Sequence, residues 1–337
     1  MAGLGMARGG KGASPYESWL ALGDLIGSHL MVIVPLGVAI GIAFPQLLLP
    51  VKPLVPTFFA IMTLQSSLAN DLAAMRVALR RPQALIITIL MVHVLMPLAV
   101  FALASLIFGA TSPTVVGVLL EYTVPIGASA IMWVSMFGGE LALGLSCLLV
   151  STLVSPFSIP LTLKALVGAT VEIDALAMMG DMAYMVAVPA LIATVANEAT
   201  HGWARRTLAP ATTPVSRLLL PLIVATNATG ISEPIRHLTP ALFGIMCLML
   251  AFAVASFIVG MVLARRLSAG DDARFVAVSF SCGVRNVTAG AVLASQYFGP
   301  EVMFPAIIAT PFQQVLAAAF GRLMRWVLSR HERPPRS

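Results

Sequence analysis

One arginine stands alone in a long apolar stretch. From Phe275 to Ala294, Arg285 is the sole charged residue, inside Ser281-Cys-Gly-Val-Arg-Asn-Val-Thr288. A guanidinium at the centre of a membrane helix costs about 2.5–3.5 kcal/mol on insertion scales. What it can do there is fork two parallel hydrogen bonds onto a carboxylate or phosphate. A buried ion pair between helices is the structural alternative. Asn286, Thr288 and Ser281 flank it and are neutral ligands for an anion. Ser129, in Val124-Pro-Ile-Gly-Ala-Ser129, and Asn227, in Thr226-Asn-Ala-Thr229, supply matching polar groups elsewhere in the chain. Glu121 lies three residues before the Val124–Ser129 interruption. It can neutralise Arg285, carry a proton, or face an outer vestibule. His93 lies within another apolar run and titrates near neutral pH in water, so it is a second coupling candidate. Its ordinary role is a hydrogen bond to a neighbouring helix. Gln65, Ser66 and Ser67 form a further polar patch, Gln313 and Gln314 are candidates for interhelical hydrogen bonds, and Asp181 reads as an outer-end residue or a cavity group.

Composition decides what must position these groups. Of 337 residues, 59% are hydrophobic and only 10% charged. Soluble domains carry about 25% charge, so a soluble globule and a disordered chain are both excluded. The apolar runs are continuous, which argues against a transmembrane β-barrel. The chain is expected to be an all-α polytopic membrane protein. Ten spans fit, at 25–49, 54–74, 83–108, 114–137, 140–167, 175–198, 214–232, 241–264, 273–298 and 302–328. With ten spans both termini share a side. That side carries sixteen of the 20 Lys and Arg residues, against Lys52, Lys164 and Arg236 on the other, with Arg285 between. The bias makes both termini cytoplasmic, and the net charge of +6 follows from it rather than from nucleic-acid binding. Residues 1–24 and 331–337 read as mobile cytoplasmic tails, with no secretory signal. Cys147, Cys247 and Cys282 lie in apolar runs with neither disulfide nor metal-ligand spacing.

The chain repeats itself. Met31-Val-Ile-Val-Pro35 in the first span matches Tyr184-Met-Val-Ala-Val-Pro189 in the sixth. The interruption Val124–Ser129 in the fourth matches Cys282–Val287 in the ninth. Both offsets correspond to five spans. Five is odd, so residues 25–168 and 175–330 enter the membrane from opposite sides, as inverted repeats. Transporters built this way place their sites near the midplane, at broken helices whose free backbone groups face the ligand.

The stretch from Val124 to Gly168, with its Pro-Gly break and its Ser151-Thr-Leu-Val-Ser-Pro156 run, resembles the fourth and fifth helices of the bile acid:sodium symporter family. Cys282-Gly-Val-Arg-Asn-Val-Thr-Ala-Gly290 resembles that family's broken ninth helix. The resemblance spans roughly residues 25–330. It implies two bundles: a panel domain of spans 1, 2, 6 and 7, and a core domain of spans 3–5 and 8–10, in which helices 4 and 9 cross at their breaks. It also implies alternating-access transport of small organic anions through a site between panel and core. The sequence departs from the family where sodium is held. Ala130, Ile131, Gly144 and Leu148 stand at the family's Ser, Asn and Thr positions, Ser281 at a Glu, and Arg285 at a Gln. Sodium wants a shell of oxygens, so coupling through the usual site is not expected.

The function expected is therefore secondary transport of a small organic anion. Arg285 binds the anion with Asn286, Thr288, Ser129, Ser281 and Asn227, and Glu121 and His93 are proton candidates. No cofactor or resident metal is called for, and the partners are the anion and the lipid bilayer, with a homodimer left open. Alternatives are a sodium-coupled carrier with backbone-built sites, an arsenite exporter of the same fold, a non-transporting sensor or subunit, and an intramembrane enzyme. No catalytic motif supports the last.

Overall fold

The computed structural model describes residues 14–70, 82–168, 171–237 and 239–331. Among them every regular element is helical. In chain order these are α1 (Pro15–Ser28), α2 (Leu30–Ala43), α3 (Pro45–Ser67), α4 (Pro82–Phe108), α5 (Pro113–Thr123), α6 (Ser129–Met136), α7 (Leu141–Val167), α8 (Ala175–Ala199), α9 (Ala204–Arg236), α10 (Pro240–Ser268), α11 (Asp272–Gly283), α12 (Val287–Tyr297) and α13 (Pro300–Ser329). Seven of them, α3, α4, α7, α8, α9, α10 and α13, are long and apolar enough to cross a membrane. The α1–α2 pair, bent by 76°, makes an eighth if taken as one span. The remaining four, α5, α6, α11 and α12, have 11, 8, 12 and 11 residues. At 1.5 Å per residue each reaches only about 12–18 Å, roughly half a bilayer core.

Proline and glycine explain much of this outline. The first span, expected over 25–49, instead ends at Phe44, whose φ of −128° and ψ of 59° are not helical. Pro45 follows, and a residue before proline is pushed out of the helical region while proline itself suits the first turn of a new helix. The tail expected over residues 1–24 gives way at Ser14. Its hydroxyl accepts from the Glu17 amide at 3.2 Å, and its own amide donates to the Glu17 carboxylate at 2.8 Å. That reciprocal cap starts α1. The end of the second span at 74, the basic residues Arg8, Lys11, Arg76, Arg80, Arg81, Arg333 and Arg336, and the tail 332–337 lie outside the described residues.

Three helices contain one π-turn each, at Met91–Leu95, Ala183–Ala187 and Ala204–Leu208. A proline stands two residues beyond each: Pro97, Pro189 and Pro210. The ring of an internal proline collides with the carbonyl four residues earlier. Widening the preceding turn, with Met96, Val188 and Ala209 donating five residues back, accommodates that carbonyl without breaking the helix.

The helices pack as two groups. α1, α2 and α3 gather around α9 with α8 packed on α3, while α4–α7 and α10–α13 pack on one another and α7 also packs on α8. In the first group, Gly23, Gly27, Gly37 and Gly41 lie against Pro214, Arg217, Pro221 and Ala225 of α9. This is small-residue packing at four-residue spacing, which lets backbones approach closely in a membrane. In the second group the breaks of the α5–α6 and α11–α12 pairs meet. Ile126 and Arg285 form an isolated antiparallel bridge there. One large apolar cluster contains α5 and α12 and mixes both helix groups, including Val55, Phe59, Met182 and Ile223. A second contains α6 and α11, and its buried residues come only from the second group.

A methyl group at Gly41 would sit 2.1 Å from the Ala225 carbonyl oxygen, whereas one at Gly244 meets nothing within 4 Å. Gly41→Ala is therefore expected to lose about 1–3 kcal/mol through overpacking. Gly244→Ala should be neutral or stabilising by up to about 1 kcal/mol through helix propensity. Thermal unfolding of the two detergent-purified variants checks this. Equal melting temperatures would refute the close α2–α9 contact.

Candidate functional site

Four helix ends meet at the crossing. α5 and α11 arrive with their C-termini, and α6 and α12 leave with their N-termini. The connecting residues pair like two short strands: Gly127 N donates to Val284 O at 3.0 Å, and Asn286 N to Pro125 O at 2.8 Å. Gly127 is required here, because a Cβ would lie 2.6 Å from the Arg285 carbonyl oxygen. α13 closes one side. The Gln313 side chain accepts from Arg285 N at 3.1 Å and donates to Arg285 O at 2.7 Å, so a side-chain amide imitates a neighbouring strand. α7 closes the other, where Ser151 Oγ accepts from Ile126 N at 2.9 Å.

Arg285 is buried. Its Nη1 donates to Val92 O at 3.0 Å and to Val124 O at 3.3 Å, and its Nη2 meets Met96 Sδ at 2.7 Å. The guanidinium carbon lies 5.9 Å from the centre of the Tyr122 ring. Both carbonyls have a reason to be free. Val124 follows the last residue of α5, where carbonyls lack intrahelical donors. Val92 lies in the π-turn, whose five-back register would require a donor at Pro97, which has no N–H. The cation thus sits on the negative end of α5, turned towards α4 and α5. Its Nε is buried without a hydrogen bond.

The other expected residues divide into three sets. Asn286 caps α12 by accepting from Ala289 N at 3.2 Å, and half-buried Thr288 follows it in the first turn. Ser129 opens α6 and accepts from Gln314 Nε2 at 3.2 Å, while Gln314 Oε1 accepts from Trp133 Nε1 at 2.9 Å. These groups surround the crossing. Ser281 is fully buried in α11 beside Cys147. Asn227 stands apart, since its Oδ1 accepts from Ser295 Oγ at 3.2 Å. Ser295 is nine residues beyond Asn286, about 14 Å further along α12.

Glu121 does not pair with Arg285: among the described residues no ion pair joins them. Its carboxylate is buried, with Oε2 unbonded, against Gly290 of α12, where an added Cβ would lie 2.7 Å from that oxygen. His93 uses both ring nitrogens, Nε2 with Ser151 Oγ at 2.8 Å and Nδ1 with Ser158 Oγ at 2.9 Å. The ring tautomer sets the direction of both bonds, since a hydroxyl that accepts from Ile126 N keeps a second lone pair and can accept again. His93 therefore ties α4 to α7 and, through Ser151, to the break below α5. Asp181 is exposed in the first part of α8, and Tyr297 Oη donates to its carboxylate. Met96 and Ser158 escaped the sequence reading, and Ser151 entered it only within the run that carries the family resemblance. The visible signal was Pro97, which frees a carbonyl five residues earlier.

The positions where the resemblance places the family's sodium-ligating Ser, Asn and Thr side chains, here Ala130, Ile131, Gly144 and Leu148, carry no side-chain oxygens. The carbonyls of Val92, Val124, Pro125, Val284 and Arg285 each already accept a protein N–H.

Comparison with known proteins agrees with this architecture. A family model described as the sodium bile acid symporter family matches residues 56–238. The Bacillus subtilis (strain 168) protein YbaS, described as uncharacterized, is 31% identical over 308 residues, covering 90% of this chain and 98% of its own. The Oryza sativa subsp. japonica protein named probable sodium/metabolite cotransporter BASS1, chloroplastic, is 25% identical over 314 residues, 91% of this chain and 74% of its own. YocS of Bacillus subtilis (strain 168), named an uncharacterized sodium-dependent transporter, is 23% identical over 271 residues, 80% of this chain and 82% of its own.

Gln313 and Gln314 are adjacent but differ in what they hold. Gln313→Leu strands two buried backbone groups of Arg285 and is expected to lose about 2 kcal/mol or more, given about 1–3 kcal/mol per buried unsatisfied group. Gln314→Leu removes bonds at an exposed position and should lose less than about 1 kcal/mol. Denaturation of the two variants side by side decides between them, and equal losses would remove Gln313 from its structural role.

Proposed function

The chain belongs to the sodium bile acid symporter family and is an integral membrane transporter rather than an enzyme, and from that premise we propose that it carries a small organic anion by alternating access, with Arg285 as a resident cation in place of sodium. The observation that carries this is the guanidinium seated on the Val92 and Val124 carbonyls. It supplies a permanent positive charge where a carbonyl-built cation site would otherwise form. Above it open the N-termini of α6 and α12, whose dipoles favour negative charge. The anion binds there in the field of Arg285, against Asn286, Thr288 and Ser129. Buried Ser281 supports α11 from below, and Asn227 lines the route from the panel side.

The ten-span arrangement has support in the helix inventory. Seven continuous spans, the bent α1–α2 pair and the broken pairs α5–α6 and α11–α12 make ten. In that scheme α1, α2, α3, α8 and α9 form the panel, and α4–α7 with α10–α13 form the core. The two five-span halves are inverted repeats, with both termini on the cytoplasmic side as the loop charges require. With sodium dispensed with, the cycle is uniport, exchange or proton-linked. Glu121, buried and unpaired beside α12, is the better placed proton carrier; His93 is occupied on both nitrogens.

Two relatives carry names that invoke sodium, so coupling is the point to test. Purified protein is screened for thermal stabilisation by small carboxylates, sulfonates and sterol acids, in sodium and in choline. An anion at about 100 times its Kd adds about 2.7 kcal/mol. Stabilisation of the wild type in choline, absent in Arg285→Gln, is the expected result. The variant should still fold, because Gln313 holds the backbone of residue 285 rather than its side chain. Stabilisation only in sodium, or normal binding by Arg285→Gln, would overturn the proposal. If Glu121 carries the proton, Glu121→Gln should keep anion binding yet lose the dependence of uptake on a pH gradient. Uptake by Glu121→Gln that still follows the gradient removes that role.

A further inference from the structure

The two helix groups are sealed together on one side of the crossing. The apolar cluster around α5 and α12 draws buried residues from both groups. On the other side, towards the chain termini, the cluster around α6 and α11 has none from the α9 group among the described residues. The α9 group has its own small cluster there, of Leu68, Ala193 and Ala204. α7 packs on α8 along its length, and the other bridging contacts follow the same division. α12 packs on α9 and α3, and the first part of α13 packs on the turn at Thr229–Ile231. Met303 of α13 fills the space over Gly230, where a Cβ would lie 2.7 Å from its Sδ.

Within that seal two polar contacts join α12 to the α9 group. Ser295 Oγ donates to Asn227 Oδ1 at 3.2 Å, and both residues are buried. Tyr297 Oη donates to the Asp181 carboxylate. Ser295 has one hydroxyl proton, shared between Asn227 Oδ1 and Val292 O at 2.9 Å, so it keeps a partner within its own helix when Asn227 moves away. Turning the Asn227 side-chain amide over lets Nδ2 donate to Ser295 Oγ while Ser295 donates to Val292 O, so the contact joins the two helices in either orientation.

We propose that Ser295 and Tyr297 are positioning residues for the transport cycle: with Asn227 and Asp181 they latch the face away from the termini, and the latch must break for that face to open. This rests on the alternating-access reading above.

The test uses the full chain in lipid nanodiscs, where both faces meet water. Cys247, the exposed native thiol, is replaced by Ser, leaving buried Cys147 and Cys282. Ala291→Cys then places a reporter one turn from Ser295 on the same helical face, at a buried position. Labelling by a bulky maleimide should be slow in this background. Losing one net hydrogen bond shifts the equilibrium by roughly fivefold, so Tyr297→Phe alone should speed labelling about fivefold, and Ser295→Ala with Tyr297→Phe more. Ser295→Thr, which keeps the hydroxyl, should restore the slow rate at that position. Unchanged rates in both variants overturn the latch, as does acceleration that Ser295→Thr fails to reverse, which marks general loosening. Anion uptake by the Ala291→Cys protein in liposomes separates the two ideas. Uptake with unchanged labelling sinks only the latch, whereas no uptake of any anion tested sinks the carrier reading itself.

Discussion

Helices that stop halfway through a membrane leave backbone N–H and C=O groups where water cannot reach them, and each must find a partner in protein. The rest of this structure follows from how that demand is met at the crossing. The two breaks satisfy each other in part, through the bonds of Gly127 to Val284 and Asn286 to Pro125. Side chains complete the set. Gln313 takes both backbone groups of Arg285, Ser151 takes Ile126 N, and Asn286 caps its own helix. Each partner comes from a different helix, so α7, α12 and α13 are held together by the same groups that keep the break intact.

A charged residue is added to this already demanding site. Arg285 is tolerable there because the breaks create carbonyls that lack donors. The end of α5 exposes Val124 O, and the π-turn before Pro97 exposes Val92 O. A guanidinium with donors in a fixed fork suits two such carbonyls better than an ammonium would. At the opposite helix ends, Asn286 Oδ1 caps Ala289 N of α12 and Ala130 N of α6 bonds Gly127 O, so those ends too are partly satisfied within the protein.

Away from the crossing, packing differs between the two groups. Around α9, Gly37 and Gly41 press on the carbonyls of Pro221 and Ala225, and Gly23 and Gly27 on the side chains of Pro214 and Arg217, with Trp19 Nε1 donating to Ala211 O at 2.9 Å. In the other group large side chains interlock, such as Phe257 stacked on Phe320 at 4.7 Å.

The membrane class, the two breaks and the isolated arginine were legible in the sequence; the span limits were legible only roughly, since 25–49 breaks at Phe44 and the helix expected over 54–74 begins at Pro45. They depend on local composition and on the spacing of Pro and Gly, which act within a few residues. The start of α1 was not read: the Ser14–Glu17 cap lies inside the segment expected as a tail, and the glycine pairs that face α9 were not singled out. What the sequence did not decide was which way Arg285 points. It places a guanidinium near the midplane and leaves an anion, Glu121 or a carbonyl equally available. The choice of Val92 and Val124 depends on α4 lying beside α5 in a particular register, and on a π-turn whose freed carbonyl happens to face the crossing. The assignment of Gln313 rather than Gln314 to the break, and of His93 to Ser151 and Ser158, has the same origin. Hydrogen bonds fall off within a fraction of an ångström, and only the packed tertiary structure sets distances that finely.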